Sequence, residues 1–375
     1  MPRTRSALVA ALLAVPLMLT GTARAAERAP GDVVSAGSTT ASSVPSKAWH
    51  VTYASTSAKG APTVVSGTVI VPDADYDGTR PIAAYAPGTQ GWGDQCAPSA
   101  EMKAGSFDEQ FAVDNLLKRG WAVVVTDYPG LGTPGEESYN VGIPEGHAVL
   151  DAVRAAQRLP DAGLSADAKV GVEGYSQGGG AAGWAAQQHA DYAPEVRLAG
   201  VAGGGTPADL KAVATNINGT AFFAFLAGTA IGFNAEYPEV GLQSSLTDAG
   251  KKAMKDLSGM CQVQGLATYA GKRIEDYTVG GVNPIDDPTW TKALAANNLG
   301  GTAPDVPVLQ YHGLADGIIP WRVESGLHER WCAAGVTSRL AGYPGEHVIT
   351  QVEAQNDVVN WLADRFAGKA APENC

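Results

Sequence analysis

One serine in the sequence stands in a setting that can make it a nucleophile. Ser176 lies in Gly174-Tyr-Ser-Gln-Gly178, between an apolar run that ends at Tyr175 and an alanine-rich run. A G-x-S-x-G motif on a strand-to-helix turn exposes the serine Oγ at the top of a sheet. Because that turn is sharp, only glycine fits on either side, and we expect a strained serine backbone. The alternative is a glycine-rich turn with an incidental serine.

A serine nucleophile needs a general base and an acid to orient it, in the chain order serine, acid, histidine. Asp316 follows the apolar run 306–311 and stands in a glycine-rich turn, where its other possible role is to cap the next helix. His347 follows the next apolar run and a Pro-Gly turn, just before the last predicted helix. The five other histidines lie before the serine, on helices or inside a strand–loop. We therefore expect Asp316 and His347 to serve Ser176.

Negative charge that develops on a carbonyl oxygen needs backbone N–H donors. The residue after the nucleophile, Gln177, is expected to supply one of them. The second should come from the loop 85–94, in which Gly88 and Gly91 let the backbone approach a substrate. Either Thr89 or Gln90 could be that donor. The alternative is an ordinary glycine-rich surface loop.

A second glycine motif points to a different chemistry. Gly130-Leu-Gly-Thr-Pro-Gly135 matches G-x-G-x-x-G, but a dinucleotide site requires that loop to open directly into a helix. Pro134 and the polar residues up to Asn140 delay the helix, so we predict no cofactor. The net charge of −12 and the lack of a basic patch make nucleic acid an improbable partner.

The first 25 residues carry a targeting pattern. A basic start, a short apolar run and an A-x-A site predict a secretory signal peptide over residues 1–25. Its removal would take away three arginines, so the formal charge would change from −12 to −15. Beyond it, no apolar segment is long and unbroken enough for a membrane anchor. We therefore expect a secreted, acidic protein with no integral membrane span.

Four cysteines in an exported chain suggest two disulfides, with three possible connectivities. They are far apart and form no C-x-x-C pair, so no structural metal site is predicted. Cys96 lies beside the proposed oxyanion loop, and Cys261 lies in a segment without strands. A bond between these two would leave Cys332 to pair with Cys375.

The secondary structure that positions the candidate catalytic residues is predicted from apolar runs that alternate with helical patterns. They predict an α/β fold, with a mostly parallel central sheet flanked by helices. One long segment has helical patches and no convincing strand, which indicates an inserted helical cap. The predicted order is a flexible lead-in at 26–46, the first part of the core at 47–205, the cap at 206–303, and the second part of the core at 304–375.

The cap contains the most apolar segment after the signal peptide, residues 220–233. On a helix, Phe222, Phe225 and Leu226 would share one face. This face could pack the cap onto the sheet or line an acyl-chain tunnel above Ser176.

Taken together, the motifs resemble the secretory lipase family, α/β-hydrolases that include the yeast lipase A type and many actinobacterial lipases. The resemblance covers residues 63–366 and rests on Gly88-Thr-Gln-Gly with Cys96-Ala-Pro-Ser, Asp127-Tyr-Pro-Gly-Leu-Gly, Gly174-Tyr-Ser-Gln-Gly, His312-Gly-Leu-Ala-Asp and Gly345-Glu-His. It implies a triad of Ser176, Asp316 and His347, a helical cap and no cofactor.

The expected function is that of a secreted triacylglycerol lipase or broad esterase. It would act as a monomer on lipid or other esters, including at an oil–water interface. An acyltransferase would use an alcohol in place of the deacylating water. A protein of another class, a catalytically silent binding protein, could use the same scaffold.

Overall fold

A nine-stranded mixed sheet runs through the part of the chain that the computed structural model describes, residues 28–375. The predicted signal peptide, residues 1–25, lies outside this part. The strands are β1 (Val33–Thr39), β2 (Ser46–Thr56), β3 (Pro62–Pro72), β4 (Ile82–Ala86), β5 (Ala122–Thr126), β6 (Val170–Tyr175), β7 (Leu198–Gly204), β8 (Val308–Gly313) and β9 (Ser338–Tyr343).

The strand order in the sheet is β1-β2-β3-β5-β4-β6-β7-β8-β9. The pairs β1–β2, β2–β3 and β3–β5 are antiparallel. The five remaining pairs in the sheet, from β5–β4 to β8–β9, are parallel. Strands β4, β5, β6 and β8 are buried at every residue, as expected for apolar strands covered on both faces. The predicted mostly parallel central sheet is therefore confirmed.

Helices cover both faces of the sheet. Among the described residues the α-helices are α1 (Pro98–Ala104), α2 (Gln110–Leu117), α3 (Gly142–Arg158), α4 (Gln177–Tyr192), α5 (Leu210–Ile217), α6 (Phe223–Glu236), α7 (Leu242–Ser245), α8 (Asp248–Leu257), α9 (Gln262–Tyr269), α10 (Pro288–Ala296), α11 (Trp321–Ala333) and α12 (His347–Phe366). One face packs against α3 and α4, and the other against α2 and α12. None of these described helices is both long and apolar enough to cross a bilayer.

The segment 26–46 was expected to be a flexible lead-in. It contains the strand β1, so the expectation is wrong for Val33–Thr39. β1 pairs antiparallel with β2, with Ala36 opposite Val51 and Ser38 opposite Trp49. Four of the seven residues of β1 are exposed, and its sequence has no alternating apolar pattern that would reveal the strand. Backbone pairing at the edge of the sheet orders the segment instead.

Helices α5 to α10 lie between β7 and β8, within the segment 206–303 that was expected to be a cap, and this helical segment is called the cap below. They enclose a separate apolar core that includes Phe223, Phe233 and Trp290. A disulfide of 2.00 Å joins Cys96, next to the core sheet, to Cys261 in this segment.

A second disulfide, of 2.08 Å, joins Cys332 to Cys375 and brings the last residues alongside β9. The backbone N–H of Asn374 donates to the carbonyl of Ser338 at 3.1 Å. Its side-chain Oδ1 accepts from the N–H of Leu340 at 2.8 Å, and its Nδ2 donates to the carbonyl of Leu340 at 2.9 Å. Residues 374–375 thus occupy the outer edge of the sheet.

Candidate active site

Ser176 occupies the turn between β6 and α4 with φ of 60° and ψ of −123°. A residue other than glycine seldom adopts a positive φ, so the serine backbone is strained, as the motif predicts. A Cβ on Gly178 would lie 1.9 Å from the carbonyl oxygen of Ala86, and one on Gly174 would lie 2.2 Å from that of Gly178. Close backbone packing therefore requires both glycines.

The structure brings together the three residues predicted for a triad. His347 Nε2 lies 2.9 Å from Ser176 Oγ, and His347 Nδ1 lies 2.5 Å from Asp316 Oδ2. The other Asp316 oxygen accepts the N–H groups of Ile318 and Ile319, both at 2.8 Å. With Nδ1–H donating to the carboxylate, Nε2 is left to accept the serine proton.

The charges of this group suit that arrangement. The Asp316 side chain is fully buried, and that of His347 is only 6 % exposed. Burial favours the neutral acid, but the hydrogen bonds from His347 and from the backbone of Ile319 lower the pKa of Asp316 below its ordinary value. The carboxylate therefore stays ionised in the neutral range and can stabilise an imidazolium.

The loop that carries Asp316 rests on a buried network that sequence analysis missed. Glu324 accepts from Thr206 N at 2.7 Å, from Gln310 Nε2 at 2.8 Å and from His312 Nδ1 at 3.2 Å. His312 Nε2 in turn donates to the Ile319 carbonyl at 2.7 Å. Burial lowers the pKa of His312, but its contact with Glu324 outweighs this and raises it. The one available signal was the place of His312 in the His-Gly-Leu-Ala-Asp motif.

The loop after β4 carries the two candidates for the second oxyanion donor. Thr89 and Gln90 are both buried, and in the part of the chain described neither backbone N–H has an acceptor. The Thr89 hydroxyl lies 2.7 Å from that of Tyr139, and the Gln90 carbonyl accepts from Gln262 N at 2.8 Å. Both residues therefore remain candidates.

A side chain on Gly88 or Gly91 of this loop would collide with neighbouring protein atoms. A Cβ on Gly88 would lie 2.6 Å from Glu109 Oε1, while Glu109 Oε2 accepts the Gly88 N–H at 3.0 Å. Gly91 has φ of +148°, and a Cβ there would lie 2.5 Å from the Cα of Cys261. The loop is held between a buried carboxyl and the cap.

Trp92 fastens the same loop to the cap. Its ring enters a space between α6 and α9 that two glycines leave open. A Cβ on Gly228 would lie 1.9 Å from the indole nitrogen, and one on Gly265 would lie 2.5 Å from the ring. Together with the Cys96–Cys261 disulfide, this insertion joins the oxyanion loop to the cap.

A cavity of about 30 Å³ lies over Ser176. Phe225 and Leu226 line it, whereas Phe222 does not: Phe222 precedes α6, and its ring stacks on that of Phe225 with centroids 6.4 Å apart. The remaining lining residues are Tyr139, Asn140, Gln177, Pro207, Leu210, Val213, Ala214, Ile217, Thr229, Ile318 and Ile319. Most of these lining side chains are apolar, and Ser176 is among the few polar groups in the cavity.

Comparisons with known proteins agree with this geometry. A sequence profile described as secretory lipase matches residues 103–374. The chain belongs to the secretory lipase family. It is 32 % identical over 326 residues to the secreted triacylglycerol lipase LIP7 of Malassezia globosa, covering 82 % of this chain and 68 % of that one. It is 31 % identical to Lipase 4 of Candida albicans, with 87 % and 74 % covered.

Solved structures show that this secretory lipase has the α/β-hydrolase fold. Candida antarctica lipase A matches with a TM-score of 0.83 at 23 % identity, over 92 % of this chain and 84 % of that one. The rice cell wall degrading esterase LipA of Xanthomonas oryzae matches with a TM-score of 0.76 at 20 % identity, over 91 % and 100 %. The names of its relatives and its two disulfides agree on location: the protein is secreted.

Two further carboxyl groups of this secretory lipase lie beside the nucleophile turn, and sequence analysis missed both. The Gln177 side chain donates to Glu137 and to Glu145. Glu137 lies in the polar run before Asn140, which has no periodic pattern, and Glu145 is an early residue of a helix. The only signal was that this run follows a parallel strand and so ends at the same edge of the sheet as Ser176.

Proposed function

We propose that this protein hydrolyses carboxylic esters, with triacylglycerols as the main substrate class, through an acyl-enzyme on Ser176. The observation that carries the proposal is the hydrogen-bonded series Ser176–His347–Asp316 beneath an apolar cavity. The names of the relatives support the substrate class, since several are called triacylglycerol lipases.

In the proposed reaction, His347 Nε2 accepts the hydroxyl proton while Ser176 Oγ bonds to the ester carbonyl carbon. The tetrahedral intermediate collapses, His347 returns the proton to the departing alcohol, and the acyl group stays on the serine. Water then attacks in the same way and releases the acid. Asp316 stays ionised and holds the imidazole in the required tautomer.

The N–H of Gln177 is the proposed first donor to the oxyanion, and that of Thr89 or Gln90 is the second. Each such donor contributes on the order of 10²–10³ in kcat. Gln177 is the first residue of α4, so the dipole of that helix also favours a negative charge there.

Phe225 and Leu226 are the proposed contacts for the acyl chain, together with Ile318 and Ile319 of the acid loop. Apolar side chains around a few polar groups are typical of ligand sites. Phe222 is not among these contacts, because its ring lies behind that of Phe225.

Exposed apolar side chains next to the triad support action at an oil–water interface. Leu314, Val348, Ile349 and Val352 are 60 %, 62 %, 53 % and 57 % exposed and flank the acid loop and His347. Clustered exposed apolar groups mark interaction surfaces. One chain supplies the whole triad, so a monomer suffices for the proposed activity.

The test is turnover of an ester series from acetate to oleate, with fluorophosphonate labelling. Ser176→Ala and His347→Ala should each lower kcat on the order of 10⁶-fold with native circular dichroism, and Ser176→Ala should prevent labelling. Added glycerol separates hydrolysis from acyl transfer by the products formed. Appreciable turnover by Ser176→Ala, or a wild-type protein that neither labels nor turns over, contradicts the proposal.

A further inference from the structure

Three buried polar side chains meet behind the nucleophile turn and take no part in the proton transfers described above. The Gln177 Nε2 atom donates to Glu145 Oε1 at 2.7 Å and to Glu137 Oε1 at 3.1 Å. Gln177 and Glu137 are each 3 % exposed, and Glu145 is 1 % exposed. Burying two carboxyl groups is costly, so this arrangement calls for an explanation.

One neutral amide serves both acids, and within the described chain no Lys, Arg or His pairs with either of them. Burial raises the pKa of Glu137 to about 8 and that of Glu145 well above its ordinary value. Two adjacent carboxyls in such surroundings do not both ionise at neutral pH. The pair therefore holds at least one proton and keeps Gln177 as its shared donor.

The pair also shapes the segment between its members. Glu145 Oε1 accepts the backbone N–H of Asn140 at 2.9 Å, and Asn140 has φ of 57°. A left-handed conformation is uncommon outside glycine, and here the hydrogen bond to Glu145 holds the backbone of Asn140 in it. The same carboxyl thus fixes both the Gln177 side chain and the turn at Asn140.

This turn touches the two other parts of the site. The Tyr139 hydroxyl lies 2.7 Å from that of Thr89 in the oxyanion loop. Asn140 Nδ2 donates to the hydroxyl of Thr229 on α6 at 3.0 Å. A Cβ on Gly232 of α6 would lie 2.5 Å from the backbone N and O of Tyr139, so the cap helix rests directly on this turn. The contacts run unbroken from the cap to the nucleophile turn.

We propose that Glu137 and Glu145 are positioning residues for the oxyanion hole. They hold the Gln177 side chain, and with it the first turn of α4, so that the Gln177 N–H points at the carbonyl oxygen. Through the contacts of Tyr139 and Asn140 they also fix the position of the Gln177 N–H relative to the oxyanion loop and the cap. The inference rests on the proposed function, since it assigns a task to that same Gln177 N–H.

Positioning has a signature that simple packing lacks. A donor that is misplaced by a fraction of an ångström loses contact with the oxyanion of the transition state, whereas substrate binding changes little. A structural defect would instead lower stability and weaken the binding of every ligand alike. The two cases separate when a transition-state analogue and a substrate analogue are measured on the same variant.

The central variant is Glu145→Leu. It removes the oxygen that accepts hydrogen bonds from the Gln177 side chain and from the Asn140 backbone N–H. We expect kcat for a soluble short-chain ester to fall about 10- to 100-fold with KM changed less than about 3-fold. The affinity for an alkyl boronic acid, which forms a tetrahedral adduct on the serine, should fall by the same factor as kcat/KM. The affinity for a non-hydrolysable ether analogue should stay the same. Glu145→Gln keeps an acceptor and should restore kcat to within about 3-fold.

Gln177→Met decides the matter if Glu145→Leu does not fold. It keeps the backbone N–H and the length of the side chain but cannot donate, so the same losses in kcat and boronate affinity are expected. Glu173→Leu is the matched control. Glu173 is another buried carboxyl, on β6, and no hydrogen bond among the described residues joins it to the Gln177 side chain, so kcat of this variant should be unchanged.

The proposal is overturned if Gln177→Met keeps wild-type kcat, or if boronate and ether analogues lose affinity equally. It is also overturned if Glu173→Leu lowers kcat as much as Gln177→Met does. These results differ from a failure of the proposed function, which appears as turnover that survives in Ser176→Ala.

Discussion

The indole of Trp92 occupies the space in which a side chain on Gly228 would begin, since a Cβ there would lie 1.9 Å from the indole nitrogen. Gly228→Ala should therefore destabilise the protein by about 1–3 kcal/mol through overpacking, despite the helix preference of alanine. It should also lower kcat, because Trp92 belongs to the loop 85–94 that carries the candidate oxyanion donors. Urea denaturation and ester turnover measure the two effects. Gly301→Ala, at a position with no atom within 4 Å of the new Cβ, should change neither.

Asp316→Asn should leave the fold intact and lower kcat on the order of 10⁴-fold, because an amide favours the wrong tautomer of His347. The pH–rate profile provides the check. If Asp316 only capped the following helix, the variant would lose stability and keep most of its turnover, which would contradict the assigned role.

Breaking the Cys96–Cys261 bond should destabilise the protein by about 5 kcal/mol in the chain-entropy model, because the bond joins residues 165 apart in sequence. It should also reduce turnover, since the bond holds the cap to the oxyanion loop. The Cys96→Ser, Cys261→Ser double variant tests this by thermal unfolding and kcat. An unchanged kcat with lowered stability would limit the bond to a structural role.

Phe225→Asp should lower turnover of oleate esters far more than that of acetate esters. A long acyl chain that contacts the new carboxylate removes water from it, so we expect a loss of about 10- to 100-fold for oleate esters, or about 1.4–2.7 kcal/mol. Phe222→Asp is the control on the same segment, because Phe222 does not line the cavity and stands at the helix N-cap, where Asp is favoured. Equal losses on both esters would assign Phe225 to cap packing.

The buried acids give stability a definite pH dependence. Burial raises the pKa of Glu109 to about 7 and those of Glu137 and Glu173 to about 8, against an ordinary 4.5. The folded state then binds more protons than the unfolded state between these values, so the free energy of unfolding should fall as pH rises from about 4.5 to 8. Urea denaturation at pH 5, 6.5 and 8 measures the trend, and Glu173→Gln should flatten it. Rising stability over this range would contradict the assignment.

The triad geometry was predictable because chain order and sheet connectivity act together. Ser176, Asp316 and His347 each follow a parallel strand, and the carboxyl ends of parallel strands meet at one edge of the sheet. Gly174 and Gly178, two residues before and after Ser176, indicate a sharp turn, and this spacing is visible in the sequence. Local pattern and global topology therefore specify the same three residues.

Other features depended on contacts that no local pattern encodes. β1 forms through backbone pairing with β2, and its small exposed residues carry no strand signal. Helical periodicity grouped Phe222 with Phe225 on one face. Because α6 begins only at Phe223, Phe222 lies outside the helix, and it does not line the cavity. The contact of Glu137 with Gln177 joins residues 40 apart through an irregular loop. Such contacts exist only after the chain has folded.

The covered edge of β9 has a consequence for the behaviour of the protein in concentrated solution. An uncovered edge strand presents free N–H and C=O groups to which a strand of another molecule can add. Here Asn374 already pairs with Ser338 and Leu340, and the Cys332–Cys375 bond keeps it in place. Without that bond only these hydrogen bonds hold Asn374, so we expect the backbone groups of Ser338 and Leu340 to become exposed more often. We therefore expect reduction of this bond to promote aggregation of molecules that are still folded, in addition to lowering their stability.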